Sequence, residues 1–229
     1  MSRIAGSNGA RTREAIRRAG LGLIYDHGYE GFGLRQLAQV VGLQPASLYN
    51  YFSSKQDLLF GLVADHMHDL IRQATSVLQR CTPNPLAQLK AFTAHHLDYH
   101  IEKKQEVYVA NFELRALNPD NLAAVVRLRR QYEALLISVL DEGKRLGMIG
   151  TADTHVAAYA MLAMLTGACT WYKPEGRLGR AEMIALHTRL VLEGCAVMSE
   201  PGQGQLPGRR SPPKAKGIRA KAPAARAKI

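Results

Sequence analysis

Residues 33–52 read GLRQLAQVVGLQPASLYNYF, and this stretch constrains the fold more than any other. It holds two short apolar-patterned runs. Leu34, Leu37, Ala38 and Val41 form a helical stripe that Gly42 ends. Pro45 opens a second run, Pro45 to Phe52, in which Leu48 and Phe52, four apart, share a face. Pro suits the first turn of a helix because its missing N–H would have no intrahelical partner there. Isolated helices shorter than about 12–15 residues are marginal in water. Neither run stands alone, so both must dock on neighbours.

The neighbours are helical too. Residues 11–27 place Ile16, Ala19, Leu23 and Ile24 on one face, and Gly28 follows as a stop. Ser54-Lys55-Gln56-Asp57 reads as a capping-box-like start to a long helix through Leu58, Leu62, His66 and Leu70 towards Leu78. Further helical patterns run over about 85–103, 105–117, 120–146, 153–172 and 180–198, with breaks at Asn118-Pro119, 147–150 and 173–179. No alternating run is long enough for a strand, so the chain is expected to be all-α, and its 229 residues allow one or two domains. From Pro201 the composition turns to Pro, Gly, Ala, Lys and Arg with few large apolar residues, the signature of a disordered basic tail.

The formal net charge is +11, and it is unevenly spread. Residues 1–60 carry seven basic and four acidic side chains, 61–199 fifteen and fourteen, and 200–229 eight and one. A near-neutral middle with basic ends points to a polyanion partner, nucleic acid before membrane. Cys81, Cys169 and Cys195 show no CxxC or Cys/His spacing, which fits a reducing cytoplasm better than a disulfide framework or a zinc site. The N-terminal MSRIAGSNGARTRE has no apolar core of a secretory signal. The longest uncharged run, 156–172, is slightly short for a membrane span and reads as a buried helix. No membrane partner is expected.

A short helix, a Gly-containing turn and a second short helix match the helix-turn-helix plan, whose second helix enters the DNA major groove while the first crosses the backbone. With Leu48 and Phe52 inward, Ala46, Ser47, Tyr49, Asn50 and Tyr51 face outward or sideways. Ser and Asn can read base edges or phosphates, Ala can meet a thymine methyl, and Tyr hydroxyls bind phosphate. On spacing alone, the same pair also serves as a turn between core helices.

The stretch from Thr12 to Leu59 resembles the DNA-binding domain of the TetR family of bacterial repressors. The resemblance is carried by His27-Gly28-Tyr29, Leu34 to Ala38, Val41-Gly42-Leu43, Ser47-Leu48-Tyr49, Tyr51-Phe52, Ser54-Lys55 and Leu58-Leu59. It implies an all-helical homodimer on an inverted-repeat DNA operator. An N-terminal three-helix helix-turn-helix domain (11–60, after a flexible basic arm at 1–10) would read DNA. A larger helical domain (61–199) would bind a small effector and dimerise, ahead of the tail at 200–229. Carried over by position, Tyr49 and Lys55 contact phosphate, and Ser47, Asn50 and Tyr51 reach groove or backbone. Arg35, at the start of the first short helix, is a further candidate.

The chain departs from the family at three positions. Gly33 and Gln44 stand where Ser or Thr is usual, and Pro45 stands where Lys is frequent. Gly caps a helix acceptably but brings no oxygen. The basic side chains Arg3, Arg11, Arg13, Arg17 and Arg18, with the tail, are available to make up the charge.

In the second half, Ala157, Ala160, Ala163, Gly167 and Ala168 permit close helix approach. This fits either an intramolecular core or the family's dimer bundle of last helices. Phe92, His96, Tyr108, Phe112, Tyr132, Met161, Met164, Leu165 and Trp171 are candidates to line an effector pocket, since such pockets are mostly apolar with a few placed polar groups. Each is equally an ordinary core residue. Asn111 and Arg115 flank Phe112, and an Arg there can hold a phosphate or carboxylate.

EVYVANFELRAL (106–117) and LTGACTWYKPEGRL (165–178) resemble a TetR subgroup that senses acyl-CoA thioesters of lipid or sterol catabolism. That resemblance implies a long apolar acyl group inside the bundle, with CoA phosphates near Arg115, Arg127, Arg130, Lys173 or Arg177. The alternatives are a regulator sensing a lipophilic drug-like molecule, or a helical binding protein without DNA function. His96 and His100 share a helix face but lack the Glu of a zincin motif, so a partly solvated, hydrogen-bonded set is expected rather than a metal site. No GxSxG, P-loop or GxGxxG occurs. Neither a cofactor nor a catalytic residue is expected.

Overall fold

The computed structural model of the chain describes residues 6–196, with side chains from residue 9. The start of the basic arm and the tail expected at 200–229 lie outside the described residues. Within them every regular element is helical. The elements are α1 (Gly6–Gly31), α2 (Leu34–Val41), α3 (Pro45–Leu48), α4 (Lys55–Arg80), α5 (Pro85–Glu102), α6 (Lys104–Phe112), a 3₁₀ turn (Leu114–Ala116), α7 (Pro119–Arg145), α8 (Thr154–Trp171) and α9 (Arg180–Gly194).

Local chemistry sets most of the boundaries. Gly28 breaks α1 at φ 73°, ψ 164°, a conformation L side chains avoid. Gly42 ends α2 in the left-handed region (φ 69°, ψ 32°), and the Leu43 amide returns to Ala38 O at 2.9 Å. Ser54 accepts from the Asp57 amide at 3.1 Å to start α4, and Asp57 Oδ2 accepts from the Ser53 amide at 2.9 Å. Asn84, Asn118 and Asp153 cap α5, α7 and α8 in the same way. Caps of this kind contribute about 1 kcal/mol each.

Several elements differ from the expected ones. α1 begins at Gly6, inside the expected flexible arm. The second helix of the helix-turn-helix is a single α-turn, Pro45–Leu48, instead of a helix to Phe52. Beyond it the chain turns mainly through i→i+3 bonds, Asn50 N to Ser47 O at 3.3 Å and Tyr51 N to Leu48 O at 2.9 Å, with one i→i+4 bond from Phe52 N to Leu48 O at 3.3 Å. The run 105–117 splits after Phe112 into α6 and the 3₁₀ turn, and α9 ends at Gly194. The apolar helix at 156–172 is not buried all round: Val156, Tyr159, Met164 and Trp171 of α8 stand exposed.

Two clusters form the core. Ile16, Ile24, Tyr29, Phe32, Leu37, Leu48, Phe52, Leu58, Leu59 and Val63 surround the short helices and supply the docking they need. That cluster is completed from the second half of the chain by Val109, Ala110, Leu117 and Val125. The other cluster joins α4, α5, α7, α8 and α9 around Leu89, Phe92, Leu136, Leu140, Leu165 and Met183. α4 belongs to both clusters, and residue 60 lies inside it, so the expected DNA-binding and effector regions share one continuous helix.

Candidate DNA-reading surface and effector cavity

The turn after α2 presents a polar edge. Arg35, Gln44, Pro45, Ala46, Tyr49 and Asn50 are exposed, while Ser47 and Tyr51 are half-buried. Leu48 and Phe52 are inward as the spacing predicts, at 0% and 7% exposure, and anchor the turn to the core. The Tyr49 ring leans on Phe52, 6.5 Å between centroids, so it projects from a fixed base. Neither Gly33 nor Gln44 makes a side-chain cap, in line with their lacking the usual hydroxyl.

Lys55 opens α4, and its Nζ lies 4.3 Å from the centroid of the Tyr29 ring and 4.6 Å from that of Phe32. Two aromatic faces thus hold an ammonium at a helix N-terminus, where the helix dipole would otherwise disfavour it. Ammonium and helix dipole together make a positive spot beside the exposed turn. Arg17 is engaged within the fold, where its Nη2 pairs with Asp65 Oδ2 at 2.5 Å and donates to Gly61 O at 3.1 Å. Arg11, Arg13 and Arg18 remain exposed on α1.

One side chain joins this region to the second half. Gln56 donates through Nε2 to Tyr29 Oη (3.0 Å) and to Ala116 O, and its Oε1 accepts from the Asn118 amide (3.0 Å). A second joint is aromatic: Tyr25 of α1 meets Tyr108 of α6 edge-on at 5.0 Å, and Tyr108 packs on Phe112 at 4.6 Å.

Between α4, α5, α6, α7 and α8 lies a cavity of about 90 Å³. α4 contributes His66, Met67 and Leu70, and α5 contributes His96 and His100. Ala110 and Asn111 come from α6, Arg129, Tyr132 and Glu133 from α7, and Leu162 and Thr166 from α8. His96 is bonded at both ring nitrogens, to Tyr132 Oη at 2.8 Å and Thr166 Oγ1 at 3.2 Å. His100 stacks on it at 3.7 Å and donates from Nδ1 to His96 O at 2.7 Å, because a carbonyl can only accept.

Burial pushes the pKa of His66 down to about 4 and that of His100 to about 3, and holds that of His96 well below its ordinary value. All three rings are therefore neutral near pH 7. Arg129 donates from Nη2 to Ala110 O (2.9 Å) and Asn111 Oδ1 (2.6 Å). His66 Nδ1 and Arg129 Nε are buried without a hydrogen-bond partner.

Residues 16–62 match the family of bacterial regulatory proteins of the tetR type, and residues 82–195 match the Tetracyclin repressor-like C-terminal domain. The chain belongs to the TetR family. It is a TetR-type transcriptional regulator, and regulators of this family are not enzymes. It is 25% identical over 167 residues to the HTH-type transcriptional repressor NicS of Pseudomonas putida, covering 71% of this chain and 76% of that one. It is 22% identical over 196 residues to the repressor KstR2 of Mycobacterium tuberculosis, covering 85% and 97%. Among solved structures it resembles AibR in complex with isovaleryl coenzyme A and operator DNA, with a TM-score of 0.73 and 26% identity, covering 78% of this chain and 97% of that one.

In this TetR protein the expected effector residues divide into two groups. His96, Asn111 and Tyr132 line the cavity. Phe92 stands behind the wall, fully buried against Tyr132 (5.3 Å) and His96 (6.3 Å). Met161 and Leu165 belong to the core around it. Tyr108 and Phe112 lie instead at the α1–α6 joint, and Arg115 is exposed on the 3₁₀ turn. Met164 and Trp171 are on the outer face of α8, where Trp171 stacks on His187 of α9 at 6.0 Å. The histidines, expected to be partly solvated, are buried, because α4 brings His66 over the α5 pair. No group of three or more His, Cys, Asp or Glu side chains suited to a metal occurs among the described residues.

The polar cavity residues that sequence reasoning missed are His66, His100, Arg129, Glu133 and Thr166, and with them the apolar Met67, Leu70, Ala110 and Leu162. A signal for Arg129 exists: it falls in the stripe Val125, Arg129, Tyr132, Leu136, whereas Arg127 and Arg130 are exposed on other faces. Among the described residues no helix is long and apolar enough to cross a membrane.

Proposed function

We propose that this TetR regulator is a homodimeric repressor that leaves its operator when a small effector enters the cavity between α4 and α8. The observation that carries the reading is that α4 and α6 each belong to both places. α4 bears Lys55 and Gln56 at one end and the cavity residues His66, Met67 and Leu70 about three turns later. On α6, Asn111 and Ala110 O are held by the cavity residue Arg129, while Val109 and Ala110 pack in the core of the helix-turn-helix. A ligand that draws on Arg129 therefore shifts α6 against α1, and a ligand that parts α4 from α7 turns the helix that carries Lys55. Two recognition turns must stand about one DNA turn apart. A ligand that favours another spacing moves the population off DNA by its differential affinity alone.

Residues 11–60 form the DNA-reading part and 61–199 the effector and dimer part. Tyr49 and Lys55 bind phosphate, with Arg35 on the backbone. Gln44, Pro45, Ala46, Ser47, Asn50 and Tyr51 sit at the groove. Dimerisation uses the outer face of α8 and α9. Val156, Tyr159, Met164 and Trp171 there continue into Leu186 and Leu190, an apolar surface a monomer would leave in water.

The effector is an acyl-CoA thioester with a short acyl group. Likeness to AibR, whose structure holds isovaleryl coenzyme A, and to KstR2, described as a ketosteroid regulator, supports this class. A gel-shift with an inverted repeat selected from random DNA tests the repressor reading, followed by titration with isovaleryl-CoA. No selected repeat would refute DNA binding, and a complex indifferent to every acyl-CoA would refute the thioester.

A further inference from the structure

Arg129 carries its charge in the wall of the cavity with no carboxylate bonded to it among the described residues. Both groups its Nη2 reaches, Ala110 O and Asn111 Oδ1, are neutral, and its Nε has no partner. Glu133, one turn along α7, shares the cavity wall and its charge favours the Arg129 cation, but it makes no ion pair with Arg129 among the described residues. The rings opposite, His66, His96 and His100, are neutral and supply no negative charge. Burial works against the Arg129 cation, and with no carboxylate bonded to it part of that cost stays unmet until an acidic group pairs with it. The remaining wall offers Met67, Leu70 and Leu162 for an apolar body, and the buried, unpartnered Nδ1 of His66 for a further polar atom.

We infer that the cavity takes a short acyl compound bearing a carboxylate at the end that enters, paired with the Arg129 guanidinium through its unpartnered Nε. This rests on the reading that the effector occupies this cavity, and it specifies the chemistry of the entering group. The cavity, about 90 Å³, has room for a few methylenes and a carboxylate. The carboxylate can arrive on a dicarboxylic acid bound to CoA through its other end, or on the free dicarboxylate. A charge-assisted hydrogen bond from a guanidinium to a carboxylate is about twice as strong as one between neutral groups.

The experiment is calorimetric titration of the full chain with glutaryl-CoA, valeryl-CoA and glutarate, which share a carbon count in the acyl part. Arg129→Gln keeps donors for Ala110 O and Asn111 without the charge. Arg129→Met removes both, and circular dichroism and gel filtration check the fold of each. The expected result is glutaryl-CoA binding about tenfold or more tighter than valeryl-CoA, with that preference lost in Arg129→Gln. Glutarate binding that depends on Arg129, with neither thioester bound, upholds the charge recognition and removes the thioester from the proposed function. Equal binding of the two thioesters, or a preference that survives Arg129→Gln, overturns the inference; the repressor reading then stands if both compounds release the operator. Binding of none of the three also overturns it, while the operator gel-shift still reports on DNA recognition by itself.

Discussion

Acidifying the solution from pH 7 to pH 5 will destabilise the protein through its buried histidines, well before its carboxylates titrate. In the unfolded chain a histidine titrates near 6.5, whereas in the fold burial lowers His66 to about 4 and His100 to about 3. Lys103 and Arg129 push His66 further down, and Asp69 works against them. A depressed imidazole pKa means that the unfolded chain binds protons the native state refuses. The stability from neutral burial is therefore complete above about pH 7 and is lost as pH falls from 6.5 towards the folded values. One proton taken up on unfolding is about 1.36 kcal/mol per pH unit. Between pH 7 and pH 5 His66 and His100 each remove about 2 kcal/mol, or about 4 kcal/mol together. His96, also held well below its ordinary value by burial, adds to the loss in the same direction.

A domain of ordinary stability has about 5–15 kcal/mol to lose, so the effect should be plain in urea melts at pH 7, 6 and 5. Protein concentration must be held fixed, because dimerisation makes apparent stability depend on it. The urea midpoint should fall over this range, and His66→Gln should flatten the slope by about one proton. Carboxylates held low, such as Asp153 with its bonds from the Val156 and His155 amides, give way only below this window. A midpoint that stays level from pH 7 to pH 5.5 would refute neutral burial of these rings.

The other predictions concern the surfaces. Lys55→Ala should weaken DNA binding for all sequences alike and reduce the salt slope by about one contact, while Asn50→Ala should change which repeat is selected from random DNA; unchanged selection would remove Asn50 from the base contacts. Leu190→Asp on the outer face of α9 should convert the dimer to monomer on gel filtration and abolish the operator shift, and a dimer that persists would place the interface elsewhere. Gln56→Ala deletes three hydrogen bonds between the start of α4, Tyr29 and the α7 entry. At about 1 kcal/mol per bond, partly replaced by water, it should cost about 1–2 kcal/mol of stability. It should also shrink effector-driven release of DNA; release identical to wild type would show that Gln56 carries no coupling.

The helix-turn-helix was legible because its determinants are local. Gly42, Pro45, Leu48 and Phe52 act within a few residues of one another, and a stop, a start and one apolar pair suffice to describe them. The recognition helix was overextended because i→i+3 turning after Leu48 leaves the same Leu48–Phe52 pair inward as an α-helix would. The cavity is different in kind. Its floor needs His66 from α4 above His96 and His100 from α5, and no spacing relates residues thirty positions apart on separate helices.

Trp171 and Met164 show the opposite difficulty. A helix apolar on most faces satisfies an internal core and a subunit interface equally, since both remove the same surface from water, and pattern alone does not say which side meets which partner. Arg129 lies between these cases. Written as RLRR, residues 127–130 look like a solvated basic face. Placed on the phase of Val125, Tyr132 and Leu136, the middle arginine must point inward, and an inward arginine demands acceptors. Ala110 O and Asn111 satisfy part of that demand, and Glu133 acts on the charge from one turn away without bonding to it. Phase fixes the direction of the side chain, and its unpartnered Nε at the cavity then points to an acidic ligand.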